Sequence, residues 1–132
     1  MQITTPLSDE LGRYLNLSSL ELKLTAGNMA NIDTPGYRTV GFDFAEEMSR
    51  SMADAAARRK YEMKAGQEFN QEERPVTVAF IGGLVERPDG NNVSMDREGM
   101  RMAEAQLRFR TGVELLKGEY NRELDAIHGD SK

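Results

Sequence analysis

The string Ala26-Gly27-Asn28-Met29-Ala30-Asn31-Ile32-Asp33-Thr34-Pro35-Gly36-Tyr37 closes a leucine-rich helical pattern with a hard stop. Pro35 cannot continue a helix, because it lacks the amide hydrogen and its ring clashes with the preceding turn. It also pushes Thr34 out of the α region. Pro35-Gly36 suits the central positions of a type II turn, whose second residue needs positive φ. Asn31 or Asp33 can cap the helix end or bridge into the turn. The chain therefore runs as a rod to about residue 32 and then makes a fixed corner. On physics alone this is a helix stop plus a turn, which many proteins contain.

Upstream, residues 1–6 read as frayed and Ser8 as the N-cap, with Asp9 and Glu10 favouring the positive end of the helix dipole. Leu11, Tyr14, Leu15, Leu22, Met29 and Ile32 form one apolar stripe at ~100° per residue. Leu17, Leu20 and Leu24 form a second, nearly opposite stripe. Two opposed stripes ask for two partners. The reading is one face packed inside the subunit and the other against neighbouring subunits, with the alternative of a central helix buried in a small bundle.

After the corner, residues 40–44 alternate in the extended manner. Residues 45–60 favour helix on propensity with a weak apolar face. Residues 61–75 read as loop. Residues 76–86 predict a β-hairpin about Gly82-Gly83, and residues 88–92 a turn-rich connector. A second long helix follows, capped by Ser94 and running to about residue 127, where His128-Gly129-Asp130 supply stop signals. Met95, Met102, Phe109 and Leu116 recur every seven residues, with Val113, Tyr120 and Ile127 in the adjoining row and Met100, Ala103 and Leu107 on another face. Such spacing predicts coiled-coil-like packing. The expected fold is mainly α. An antiparallel hairpin of two long helices (7–32 and 94–127) forms one helical core, divided as 1–40, an irregular 41–92 and 93–132.

Two blocks carry a resemblance. Ala30-Asn31-Ile32-Asp33-Thr34-Pro35-Gly36-Tyr37 behind an amphipathic helix resembles the signature of the bacterial flagellar rod and hook proteins, with Asn28 also matching. Gly27 stands where that family usually carries an asparagine, a mild departure. Asp89-Gly90-Asn91-Asn92-Val93-Ser94-Met95-Asp96-Arg97-Glu98, then Met102-Ala103-Glu104 and Leu107-Arg108-Phe109, resembles the C-terminal block of the FlgB family of proximal rod proteins. The blocks cover about a third of the chain, in the right order, and the middle shows no match.

Composition narrows the remaining classes. Seventeen basic against twenty-two acidic residues give a charge of −5 with no dominant basic face, which disfavours nucleic acid. There is no cysteine, so disulfides and thiolate metal sites are excluded. No apolar run is long enough to span a membrane, and the first thirty residues lack the apolar block of a cleaved signal. His128 is the single histidine, near a helix end, and reads as a surface residue and not a catalyst. Glu46-Glu47 and Glu72-Glu73 read as solvated charge. Gly82-Gly83 lacks the lysine and hydroxyl of a phosphate loop. Asp89-Gly90-Asn91-Asn92 has too few ligands for a calcium loop. The eight methionines suit adaptable packing surfaces. No catalytic, cofactor-binding or metal site is expected, and no small-molecule substrate.

The resemblance implies a structural subunit at the proximal end of the flagellar rod, which transmits torque from motor to hook. It implies export by the flagellar type III route without a cleaved signal, a place in the periplasmic rod, and partners among other rod proteins, copies of the chain itself and an adaptor at the rod base or export gate. The residues singled out are Asn28, Ala30, Asn31, Thr34, Pro35, Gly36 and Tyr37 for the corner, and Leu17, Leu20, Leu24, Met102, Phe109, Val113, Leu116 and Tyr120 for assembly faces. The alternative function is a soluble helical-hairpin binding module such as an export adaptor or chaperone, which would fold as a cooperative dimer.

Overall fold

The computed structural model describes residues 5–66 and 74–129. Its elements are α1 (Pro6–Ala30), β1 (Val40–Gly41), α2 (Phe44–Ala65), β2 (Ala79–Phe80) and α3 (Met95–Gly129). The sequence expectations for residues 1–4, for 67–73 within the loop and for Asp130 lie outside the described residues.

Helix α1 starts earlier than Ser8. Thr5 is extended and its hydroxyl oxygen accepts the Ser8 N–H at 3.1 Å, with Pro6 in the first turn. Proline there loses no hydrogen bond and its fixed φ suits the helix, so the cap falls on Thr5. At the other end, the Asn31 amide side chain donates to the Gly27 carbonyl at 2.8 Å and ties off the last turn.

Helix α3 lies antiparallel on α1. Thr5 donates to Glu119 at 2.9 Å, Arg108 donates to Glu21 at 2.6 Å, and Asn28 donates to Glu98 at 2.9 Å, so partner numbers fall as α1 advances. The seam differs from the one that apolar spacing suggested. Its buried α3 residues are Glu98, Ala105 and Gly112, seven apart. Across from them Ser18 and Thr25 are buried on α1. A Cβ on Gly112 would sit 2.8 Å from Leu15 Cδ2 and 3.0 Å from Tyr14 Cδ1. Small residues let the helix axes approach, and the large apolar rows flank this line. Phe109, Tyr120 and Ile127 remain exposed, while Met102, Val113 and Leu116 are half-buried.

Helix α2 is longer than predicted. Asp43 Oδ1 accepts the Glu46 N–H at 2.9 Å, and Gly66 closes the helix at φ 62°. Glu62, Met63, Lys64 and Ala65 favour helix, and the stop comes where glycine takes the left-handed conformation. Tyr14 and Phe44 meet edge-to-face at 5.3 Å, and the Arg108 guanidinium lies over Phe44 at 4.7 Å. Arg13 donates to Ser51 at 3.0 Å and Arg59 to Glu10 at 3.1 Å.

The predicted hairpin of residues 76–86 does not form. Ala79–Phe80 instead pairs antiparallel with Val40–Gly41, and the Ile81 N–H donates to the Thr39 carbonyl at 2.9 Å. An isolated hairpin is marginal in water. The β1 edge is already fixed against α1 and offers the better partner.

The buried apolar residues among those described are Leu17, Val93 and Ala105. The accessible surface is 9488 Å². A compact monomer of 14.8 kDa exposes about 7,000 Å². The molecule is drawn out along its helices, and much of its apolar surface is uncovered.

Candidate functional site

The end of α1, the corner and the start of α3 meet in a polar clasp centred on Asn28. This side chain is 1% exposed. Its amide nitrogen donates to the Val40 carbonyl at 2.8 Å and to Glu98 Oε2 at 2.9 Å. Its oxygen accepts from the Tyr37 hydroxyl at 3.1 Å and the Val40 N–H at 3.1 Å. Two donors and two acceptors are the full capacity of an asparagine side chain. One residue thus holds α1, the corner, β1 and α3 together. Burial without those partners would be costly.

Asn91 and Asn92 build the second half. Asn91 donates to the carbonyls of Asn31 at 2.9 Å and Thr34 at 2.8 Å, satisfying groups that the end of α1 leaves free. Its oxygen accepts the Val93 N–H at 2.8 Å. Asn92 Oδ1 accepts the Thr39 N–H at 2.7 Å. The Tyr37 N–H reaches the Thr34 carbonyl at 3.2 Å, and Gly36 has φ 72°, the geometry of a type II turn. The Gly36 N–H donates to the Asp89 carbonyl at 2.8 Å, and Gly90, at φ 79°, lies close beneath it. Arg87 also donates to the Ile32 carbonyl. Thr34, Pro35, Gly36 and Ala30 are exposed on the outside of this corner, and Asn31 and Tyr37 are half-buried.

The sequence singled out Asn28, Asn31 and Tyr37, and the structure brings them together. It gave Thr39 no role, read Asn91 and Asn92 only as part of a turn-rich connector, and Glu98 only as a first-turn acid of the second helix. All four are buried and polar. The last three lie inside the second motif block, so the signal was a polar run directly before an N-cap, though nothing in it names a partner. The residues chosen for assembly faces are dispersed. Leu17 is 7% exposed and faces α2, so it is unavailable to a neighbouring subunit. Leu20 and Leu24 are half-buried. The second partner of α1 is therefore partly α2 of the same chain.

No protein-family model matches the chain. Curated relatives do. It is 24% identical over 124 residues to the flagellar basal body rod protein FlgB of Bacillus subtilis, covering 92% of both chains. With FlgB of Cereibacter sphaeroides it shares 30% identity over 135 residues, 96% of this chain and 99% of that protein. With FlgB of Escherichia coli it shares 33% identity over 119 residues, 86% of each. The chain belongs to the FlgB family of flagellar basal body rod proteins. In this FlgB-family member the clasp is chemically a lock. Its groups are amides, hydroxyls and one buried carboxylate, Glu98, whose Oε1 has no hydrogen-bond partner among the described residues. Those residues contain no cluster of three or more metal-ligating side chains and no helix long and apolar enough to cross a membrane. What the FlgB-family clasp can do is fix the angle at which the corner leaves the helical hairpin.

Proposed function

We propose that the chain is a structural, non-enzymatic subunit of the bacterial flagellar rod. It takes its place at the proximal end, leaves the cell by the flagellar type III route without a cleaved signal, and packs against other rod proteins, an adaptor at the rod base and copies of itself. The clasp sets the corner, and the long helices carry load between subunits through their flanking apolar rows. The observation that carries this reading is the likeness to the Escherichia coli rod protein along 86% of both chains. The geometry agrees with it, since polar bonds rigidify one end of a hairpin whose apolar rows stay uncovered. The corner residues Asn28, Asn31, Gly36 and Tyr37 serve the lock. The outward rows, with Phe109 and Tyr120, serve assembly.

The test is biochemical isolation. Basal bodies purified from cells expressing the chain should contain it in fixed ratio to other rod components, and cells lacking it should make no rod. Motile cells without the chain, or basal bodies free of it, would overturn the assignment.

A further inference from the structure

Asp89-Gly90 is the single Asp-Gly or Asn-Gly pair in the chain. Such a pair can rearrange through its own atoms. The Gly90 nitrogen attacks the carboxyl carbon of the Asp89 side chain, and its hydrogen leaves with the carboxyl hydroxyl as water. A five-membered succinimide remains. Water then opens that ring at the main-chain carbonyl. The chain now runs through the Asp89 Cβ, and the former main-chain carboxyl hangs as the side group. One water leaves and one returns, so no other reactant is needed. Glycine favours the step because no side chain crowds its nitrogen.

The fold opposes ring closure at three points. The Gly90 N–H donates to the Arg87 carbonyl at 2.8 Å, and a succinimide nitrogen has no hydrogen left to donate. Asp89 Oδ1 accepts the Asn91 N–H at 3.0 Å and lies 3.8 Å from Arg87 Nε, which ties the carboxyl to groups other than Gly90. The Asp89 carbonyl accepts the Gly36 N–H at 2.8 Å, which fixes the peptide that ring closure must turn. Asp89 itself is exposed, so these bonds, and not exclusion of water, form the barrier.

We propose that Asp89-Gly90 is an isoaspartate-forming site that the closed clasp shuts off and the open clasp releases. The product cannot relock. It adds one backbone atom just before Asn91, whose side chain must reach the Asn31 and Thr34 carbonyls at 2.9 and 2.8 Å. A chain held open too long therefore loses its corner, and prompt closure protects it. Local opening sets the rate in the folded protein.

The purified full chain is incubated at neutral pH, native and in guanidinium chloride. Isoaspartate at residue 89 is read by peptide mass spectrometry with electron-transfer fragmentation. The unfolded chain should convert about tenfold faster or more, since three bonds must be given up before the native chain reacts. Asn91→Ala removes that side chain's bonds to the corner and should speed native conversion several-fold, with no change in denaturant. The converted chain, once refolded, should have its urea midpoint lowered by about 0.5 M or more. Equal native and unfolded rates, or no conversion in the unfolded chain, would overturn the proposal. So would an Asn91→Ala chain that converts at the wild-type native rate, or a converted chain that keeps the wild-type midpoint.

Discussion

Asn28 holds more of the structure than any other side chain of its size. Replacing it by alanine strands the Val40 N–H and carbonyl, the Tyr37 hydroxyl and the buried Glu98 carboxylate together. Each buried polar group left unpaired costs about 1–3 kcal/mol, and water re-entering the corner recovers part of it. Asn28→Ala should therefore destabilise by about 3 kcal/mol, whereas Tyr37→Phe, which removes one bond, should cost about 1 kcal/mol. Urea midpoints at unchanged slope measure both, and equal costs would show that the clasp is not centred on Asn28. Gly36 makes a separate point. A Cβ there meets nothing within 4 Å, so any penalty comes from its φ of 72°. Gly36→Val should cost about 1–3 kcal/mol, and Gly36→Asn should recover most of it, because asparagine tolerates the left-handed region. The turn was legible in Pro35-Gly36 because its physics is local. The partners of Asn28 were not, since Glu98 lies 70 residues away in the chain and hydrogen-bond pairing leaves no periodic trace.

At the scale of the helix pair, the contest is between glycine's poor helix propensity and the room it makes. Gly112 sits where an added methyl would lie 2.8 Å from Leu15, while Gly99 has nothing within 4 Å. Gly99→Ala should stabilise α3 by about 0.5–1 kcal/mol. Gly112→Ala gains the same propensity but must displace the Leu15 and Tyr14 side chains, and overpacking of this kind costs about 1–3 kcal/mol. Opposite signs in thermal denaturation are the expected outcome, and stabilisation by both would place the seam elsewhere. This seam is where reading by apolar spacing failed. The seven-residue rows Met95-Met102-Phe109-Leu116 and Val113-Tyr120-Ile127 are real periodicities, but they flank the contact. The contact itself runs through Glu98, Ala105 and Gly112, which a search for large apolar residues passes over. Helix existence and direction were legible because caps and stops are local. The pairing of Ala79–Phe80 with Val40–Gly41 was not, since it is decided by an edge that the clasp fixes from afar.

For the whole molecule the central fact is an imbalance. One end is locked by buried polar groups, yet the described residues hide only three apolar side chains well, and the surface exceeds that of a compact monomer of this mass by about a third. That imbalance was foreshadowed by the two opposed leucine stripes, which ask for more partners than a single hairpin supplies. Of the second stripe, Leu17 is buried and lines the α1–α2 groove together with Leu20, so α2 of the same chain faces part of it. Buried and exposed leucines should therefore fail in different assays. Leu17→Asp puts a charge into a site 7% exposed and should lower the stability of the isolated subunit, read from its urea midpoint, by about 2 kcal/mol or more, since the arginines that line the same groove offset only part of the cost of burying it. Leu107 is 67% exposed, so Leu107→Asp should leave the urea midpoint of the subunit within about 0.5 kcal/mol of wild type. It should nevertheless lower incorporation into basal bodies and swimming speed, because in the proposed rod packing neighbouring subunits cover that face. Measuring stability and incorporation on the same two variants separates folding from assembly. If Leu107→Asp assembles and swims as wild type does, that face of α3 looks onto solvent in the finished rod, and the load between subunits must pass through the flanking rows on the other side of the helix.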